Sequence, residues 1–167
     1  MKLTSSGFKE TAQIGELMSK MDDLNAEYVN SVSTELFQQQ PFFLTVLLGY
    51  RLDLTHDELE EIMKIYFLVW EYFKAINNVP VKKVTEKEFE KVQTRHIEML
   101  KYIEGEPDQQ AKLNIYAHDI GKMKSKSLLA AVKFRYDTRP LLINMDGQTK
   151  TILFVGIKSF IECFEKN

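Results

Sequence analysis

The chain has 167 residues, 44% of them hydrophobic, and a domain of this length buries roughly 70% of its extended-chain surface without help from disulfides or metals. Its 22 basic and 24 acidic residues leave a net charge of −2, which predicts no bulk attraction to nucleic acid or to anionic membranes. Cys163 is the only cysteine, which excludes an intrachain disulfide and a cysteine zinc cluster.

With only 7 Gly and 4 Pro, the chain favours helices over a many-stranded sheet. Met1–Glu10 is mostly polar and lacks the apolar stretch of a signal peptide. The apolar runs Phe42–Leu48 and Ile65–Trp70 are far shorter than the roughly 20 residues needed to span a bilayer. A cytoplasmic protein with no membrane segment is expected.

The first helical pattern runs from Phe8 to Gln39. Ile14, Leu17, Met18, Met21, Leu24, Tyr28, Val32 and Leu36 recur three and four residues apart, with a break near Asp22–Asp23 or Asn30. A packed helical hairpin fits this stripe. Pro41 ends the pattern, because the residue before a proline is pushed away from helix. Phe42–Tyr50 fits a helix or a buried strand, and its closeness to the next element favours the helix.

Thr55 and Glu58 form a capping box that opens a helix over His56–Asn77. From Ile62 to Phe73 this helix is apolar nearly all round, so it is expected at the centre of the fold. Asn77, Asn78 and Pro80 stop it. A second capping box, Thr85 and Glu88, opens a helix to Glu104 with Phe89, Val92, His96, Met99, Leu100 and Ile103 on one face. Gly105 is expected as a left-handed cap, with Pro107 two residues on.

A helix from Pro107 or Asp108 should turn Leu113, Tyr116, Ala117, Ile120 and Met123 inward. The next, Lys126–Tyr136, presents Leu128, Leu129, Val132 and Tyr136. Leu141–Met145 is open to an extended conformation, and Asp146-Gly147 signals a turn. The last helix, Gln148–Glu165, packs Leu153, Ile157, Phe160, Ile161 and Phe164. No internal repeat emerges. The sequence thus predicts an all-α fold, a compact bundle of six to seven helices around a buried central helix at about 56–77, as a single helical domain over 1–167.

Three features carry chemical interest. In Asn114–Lys122, His118, Asp119, Ile120, Gly121 and Lys122 follow apolar residues, and this segment resembles the signature of the HD-domain metal phosphohydrolases. Adjacent imidazole and carboxylate groups offer mixed ligation suited to a divalent transition metal, which can activate water against a phosphate ester. The resemblance implies a metal held by His96, His118 and Asp119, with Asp137 or Asp146 as a further ligand. The residues also admit a plainer alternative. On an ideal helix His118 lies nearly half a turn from the Leu113, Tyr116 and Ile120 face, which makes it solvent-facing and Asp119 its solvated neighbour.

The second feature is a basic stretch, Lys122, Lys124, Lys126, Lys133, Arg135, Arg139 and Lys150, open to an acidic partner, a phosphate or single-stranded nucleic acid, or simply a solvated face. The third is an aromatic crowd, in which Tyr66, Trp70, Tyr72 and Phe73 are candidates for an interface or a pocket as well as for the core. No Glu-x-x-His pair, EF-hand loop, Gly-rich phosphate loop or Gly-x-Ser-x-Gly elbow occurs. His56 beside Asp57 fits helix capping and surface charge, and Cys163 a buried inert thiol.

The expected function is therefore a non-catalytic helical interaction or regulatory module. It needs no cofactor, has a second copy of itself or another protein as partner, and does not bind nucleic acid. The alternative is an HD-like phosphohydrolase carrying a divalent transition metal.

Overall fold

The structure is a computed structural model that describes residues 5–76 and 81–166. It is all-α: among the described residues there are nine α-helices, one 3-10 turn and no strand. Helices α1 (Ser5–Met21) and α2 (Ala26–Gln39) divide the long first pattern at Asp22–Asn25, where the Asn25 side chain caps α2 by accepting from the Tyr28 N–H. They do not close into an isolated hairpin. The α1 stripe lies mainly against the fourth and seventh helices, and α2 lies against α3 (Pro41–Gly49). Pro41 ends one helix and starts another, since its fixed φ and missing N–H suit a first helical position.

The 3-10 turn Tyr50–Leu52 leads to α4 (His56–Ile76), opened by the Thr55–Glu58 box. The stop expected at Asn77–Pro80 lies outside the described residues. Helix α5 (Glu86–Gly105) begins at the Thr85–Glu88 box. Its end departs from expectation, because Gly105 stays within the helix and no described glycine has a positive φ. The chain leaves through an extended Glu106 instead, so no left-handed residue is required.

Helix α6 (Gln109–Gly121) is capped by Asp108, and α7 (Lys126–Thr138) follows. Pro140–Ile143 forms the short helix α8 where an extended segment was open, and Asp146 caps α9 (Gly147–Glu165) by accepting from the Thr149 N–H.

Helix α4 is the central helix. It meets α1, α3, α7, α8 and α9 and buries Ile62, Ile65, Tyr66, Phe67, Leu68, Val69 and Trp70. Phe160 of α9 stacks on Phe89 at 4.3 Å and meets Phe43 edge-on at 4.8 Å, joining α3, α5 and α9 in one aromatic core. Gly156 lets α9 approach the 3-10 turn, since a Cβ there would stand 2.7 Å from the Tyr50 hydroxyl.

Candidate functional site

Helices α7 and α9 both rest on α4, and they run antiparallel. At one end the Ser125 N–H donates to the Glu165 carboxylate, and at the other the Tyr136 and Phe154 rings meet edge-on at 5.7 Å. A cavity of about 720 Å³ lies between them, bordered on its other sides by α5 and α6 and open to solvent at its rim. Its walls are largely apolar: Met99, Leu100, Ile120, Leu129, Phe154 and Val155. Lys126, Lys133, Lys150 and Lys158 line it against the carboxylates of Asp119 and Asp137.

One end of the cavity is a buried ionic cluster built by three helices. Arg95 and His96 come from α5, Asp119 from the last turn of α6, and Lys158 and Glu162 from successive turns of α9. Lys158 Nζ donates to Asp119 Oδ2 at 2.6 Å and lies 3.5 Å from Glu162 Oε1. Arg95 covers the cluster from the solvent side, donating to Asp119 Oδ1 at 3.1 Å and to both Glu162 oxygens at 2.7 and 2.9 Å. His96 Nε2 lies 2.6 Å from Glu162 Oε2.

Burial pushes the Glu162 carboxyl up, but the hydrogen bonds from His96 and Arg95 and the His96 and Lys158 charges outweigh it and hold it at about 2. Glu162 is therefore ionised and can only accept, so the proton of that short bond sits on His96 Nε2. The Lys158 ammonium lies beside the imidazole ring, 3.3 Å from Nε2 and 3.4 Å from Nδ1. Asp119 behaves similarly. Burial raises its carboxyl, and the hydrogen bonds from Lys158 and Arg95 bring it below the ordinary range.

The fate of the expected site residues follows from how α6 is rolled. His96 is 1% exposed and Asp119 6%, and His96 Nδ1 comes within 4.0 Å of Asp119 Oδ2. His118, turned about 100° from Asp119 on the helix, is exposed and stands outside the cluster. Asp119 is thus a buried ion-pair partner rather than a solvated neighbour. Conversely, the face expected inward is largely out: Leu113, Tyr116 and Ile120 are 61%, 39% and 40% exposed, while Met123 is buried. Two charge-assisted bonds to Asp119 outweigh the burial of three side chains at the edge of the fold, and they set the roll of α6. Asp137 pairs with Lys133 at 2.6 Å, and Asp146 serves as the cap of α9.

For a metal, the His96 and Asp119 pair offers an imidazole nitrogen and a carboxylate, but the Lys158 ammonium is bonded to both. A cation there would have to replace it. Among the described residues, His56, Asp57 and Glu60 bring ligand atoms within 4.8 Å of one another, all exposed on the first turn of α4, where acidic groups complement the helix dipole.

Of the aromatic candidates, Tyr66 and Trp70 are enclosed in the core and offer no surface. Trp70 Nε1 donates to Glu35 at 3.1 Å, while Tyr72 and Phe73 line a separate depression beside Glu10 and Phe164.

Comparison with protein-family models, with curated proteins and with solved structures finds no match to this chain. The site must speak for itself.

Sequence reasoning passed over Arg95, Lys158 and Glu162. A signal was present. Lys158 and Glu162 stand four residues apart inside Leu153–Phe164, an otherwise mostly apolar stretch whose charges must be paired if both faces are buried. The basic stretch divides in two. Lys126, Lys133 and Lys150 border the cavity, while Arg135 and Arg139 turn inward to Asp22 and Glu61.

Proposed function

We propose that the protein is a non-catalytic helical regulatory module that self-associates and receives a ligand in the cavity between α5, α6, α7 and α9. The observation that carries this is the state of the carboxylates in the ionic cluster, of which Asp119 lines the cavity and Glu162 lies behind it. Asp119 and Glu162 are each bound to cations and held below the ordinary carboxyl range, Glu162 at about 2. A general acid or base works best with a pKa near the operating pH, and these carboxylates are driven the opposite way. Their geometry suits a fixed wall rather than a proton carrier.

Self-association is supported by α6, where Leu113, Tyr116 and Ile120 share one exposed face. Light scattering tests it: Leu113→Glu should convert a dimer to a monomer, and a wild-type monomer at all concentrations would remove this part of the reading. No helix among the described residues is long and apolar enough to cross a membrane. In this reading the protein works in the cytoplasm, in keeping with the lone buried thiol of Cys163, which burial pushes up to about 11.

A second reading, HD-like metal-dependent phosphohydrolysis, is favoured by the 4.0 Å approach of His96 to Asp119. Metal analysis and phosphatase assays separate the two. A stoichiometric transition metal, with phosphate-ester hydrolysis lost in both His96→Ala and Asp119→Ala, would decide for the enzyme. No activity and no stoichiometric metal favour the module, and activity that ignores both substitutions counts against both readings.

A further inference from the structure

We infer that the cavity binds a long-chain carboxylate, its acyl tail lying along Leu129, Phe154 and Val155 and its head group held by Lys133 and Lys150. The inference deepens the regulatory reading and rests on it only in taking the bound molecule to leave unchanged.

Size is the first argument. A volume of about 720 Å³ falls within the roughly 300–1,000 Å³ of small-molecule sites. Shape is the second. The lining residues of α9 run from Gly147 to Lys158 and those of α7 from Lys126 to Asp137. Each set covers three turns of helix, about 16 Å at the α-helical rise. The space therefore extends about three turns along two antiparallel helices, which suits an extended chain.

The wall chemistry agrees with that shape. Leu129 and Val155 are buried, Phe154 is partly buried, and Met99, Leu100 and Ile120 complete an apolar lining across from them. Such walls gain by covering hydrocarbon, at about 25 cal/mol per Å² of apolar surface removed from water.

Charge then fixes the head group and its end. At the buried end, Arg95 and Lys158 are already bonded to Asp119 and Glu162, so an added anion would meet two carboxylates there. At the opposite end, Lys133 and Lys150 face Asp137 alone, a surplus of one positive charge. Lys133 is paired with Asp137. Among the described residues, the Lys150 ammonium makes one long hydrogen bond, to the Ile143 carbonyl at 3.4 Å, and no ion pair. A monoanion matches that surplus. Lys126 lines the other end, beside the Ser125–Glu165 clasp, where the Glu165 carboxylate stands next to it to offset its charge.

Titration calorimetry with dodecanoate below its micellar range, with dodecanol and with inorganic phosphate tests the inference. Dodecanoate should bind, dodecanol roughly ten- to a hundredfold more weakly, and phosphate not measurably. Ala130 is exposed in the cavity wall, so Ala130→Trp should fill the space and abolish binding without removing a core side chain, which an unchanged thermal midpoint verifies. The double variant Lys133→Gln/Lys150→Gln should weaken dodecanoate roughly ten- to a hundredfold, whereas Lys126→Gln should not. No dodecanoate binding, equal affinity for dodecanol, full affinity in Ala130→Trp or in the double variant, or a loss confined to Lys126→Gln would each overturn it. Recovery of dodecanoate intact after incubation is expected. Its chemical conversion would sink the regulatory reading and leave the binding site standing.

Discussion

Two ionic networks bury charge in this protein, and their surroundings differ. In the first, Arg135 of α7 donates to Asp22 at 2.9 Å, and Arg139 grips Glu61 of α4 through Nε and Nη2 at 2.9 to 3.3 Å. It lies where α1, α4 and α7 meet around the central helix. In the second, Lys158, Asp119, Glu162, His96 and Arg95 join α5, α6 and α9 beside an open cavity. The same chemistry therefore does two jobs. Among closely packed helices, buried charge locks the core. At a cavity wall, it holds a helix whose apolar face is half in solvent.

The largest expected effect tests the first half of that contrast. Glu61→Ala leaves Arg139 without its bidentate partner and Arg135, whose Nε already lacks a hydrogen-bond partner, beside an emptied site. Because Glu61 is buried but Arg139 is one-third exposed, the cost falls at the low end for breaking a buried pair, about 3 kcal/mol. Urea denaturation should show one global transition at lower midpoint, with the slope unchanged. A loss confined to a single helix would contradict the idea that this network locks the core.

Asp119→Asn should act locally. It removes the charge that anchors α6 and costs about 1–3 kcal/mol for the weakened hydrogen bonds. Hydrogen exchange should quicken across Gln109–Gly121 while α4 keeps its protection. Equal loosening of both helices would erase the distinction between the two networks.

Acid sharpens the comparison further. Glu162 is depressed from its ordinary 4.5 to about 2 in the folded protein. The unfolded chain therefore binds the proton more readily, so this contribution to stability is complete above about pH 4.5 and is lost as pH falls toward 2. Glu162→Gln should flatten the pH dependence of unfolding across that window. An unchanged slope would show that the carboxylate is not held as the geometry implies.

The smallest effect belongs to the exposed Lys133–Asp137 pair. Lys133→Ala should change stability by no more than about 0.5 kcal/mol, because solvent screens an exposed pair four residues apart on a helix. A larger cost would mean that the cavity rim, like the first network, is part of the lock.

The helices could be read from sequence because their causes are local. Both capping boxes form with the partners named from Thr55, Glu58, Thr85 and Glu88. The apolar run Ile62–Phe73 lies at the centre because a helix without a polar face needs neighbours on every side. Gly105 misled because a glycine permits a left-handed cap without requiring one, and the chain found an extended exit. The site was only half legible. His96 and Asp119 drew attention through their residue types, yet among the residues that bind them, Lys158 and Glu162 lie as far as 62 and 66 positions from His96 along the chain.

What the sequence alone determined is the all-α class, most of the helices and which of them is central, since periodicity, capping and prolines act within a few residues. What only the tertiary structure decided is the roll of α6, the pairing of Asp119 with Lys158, and the cavity between α7 and α9. The reason is physical. Whether a carboxylate is solvated or buried depends on a cation brought to it by another helix, and the space between two helices depends on how a third supports them both.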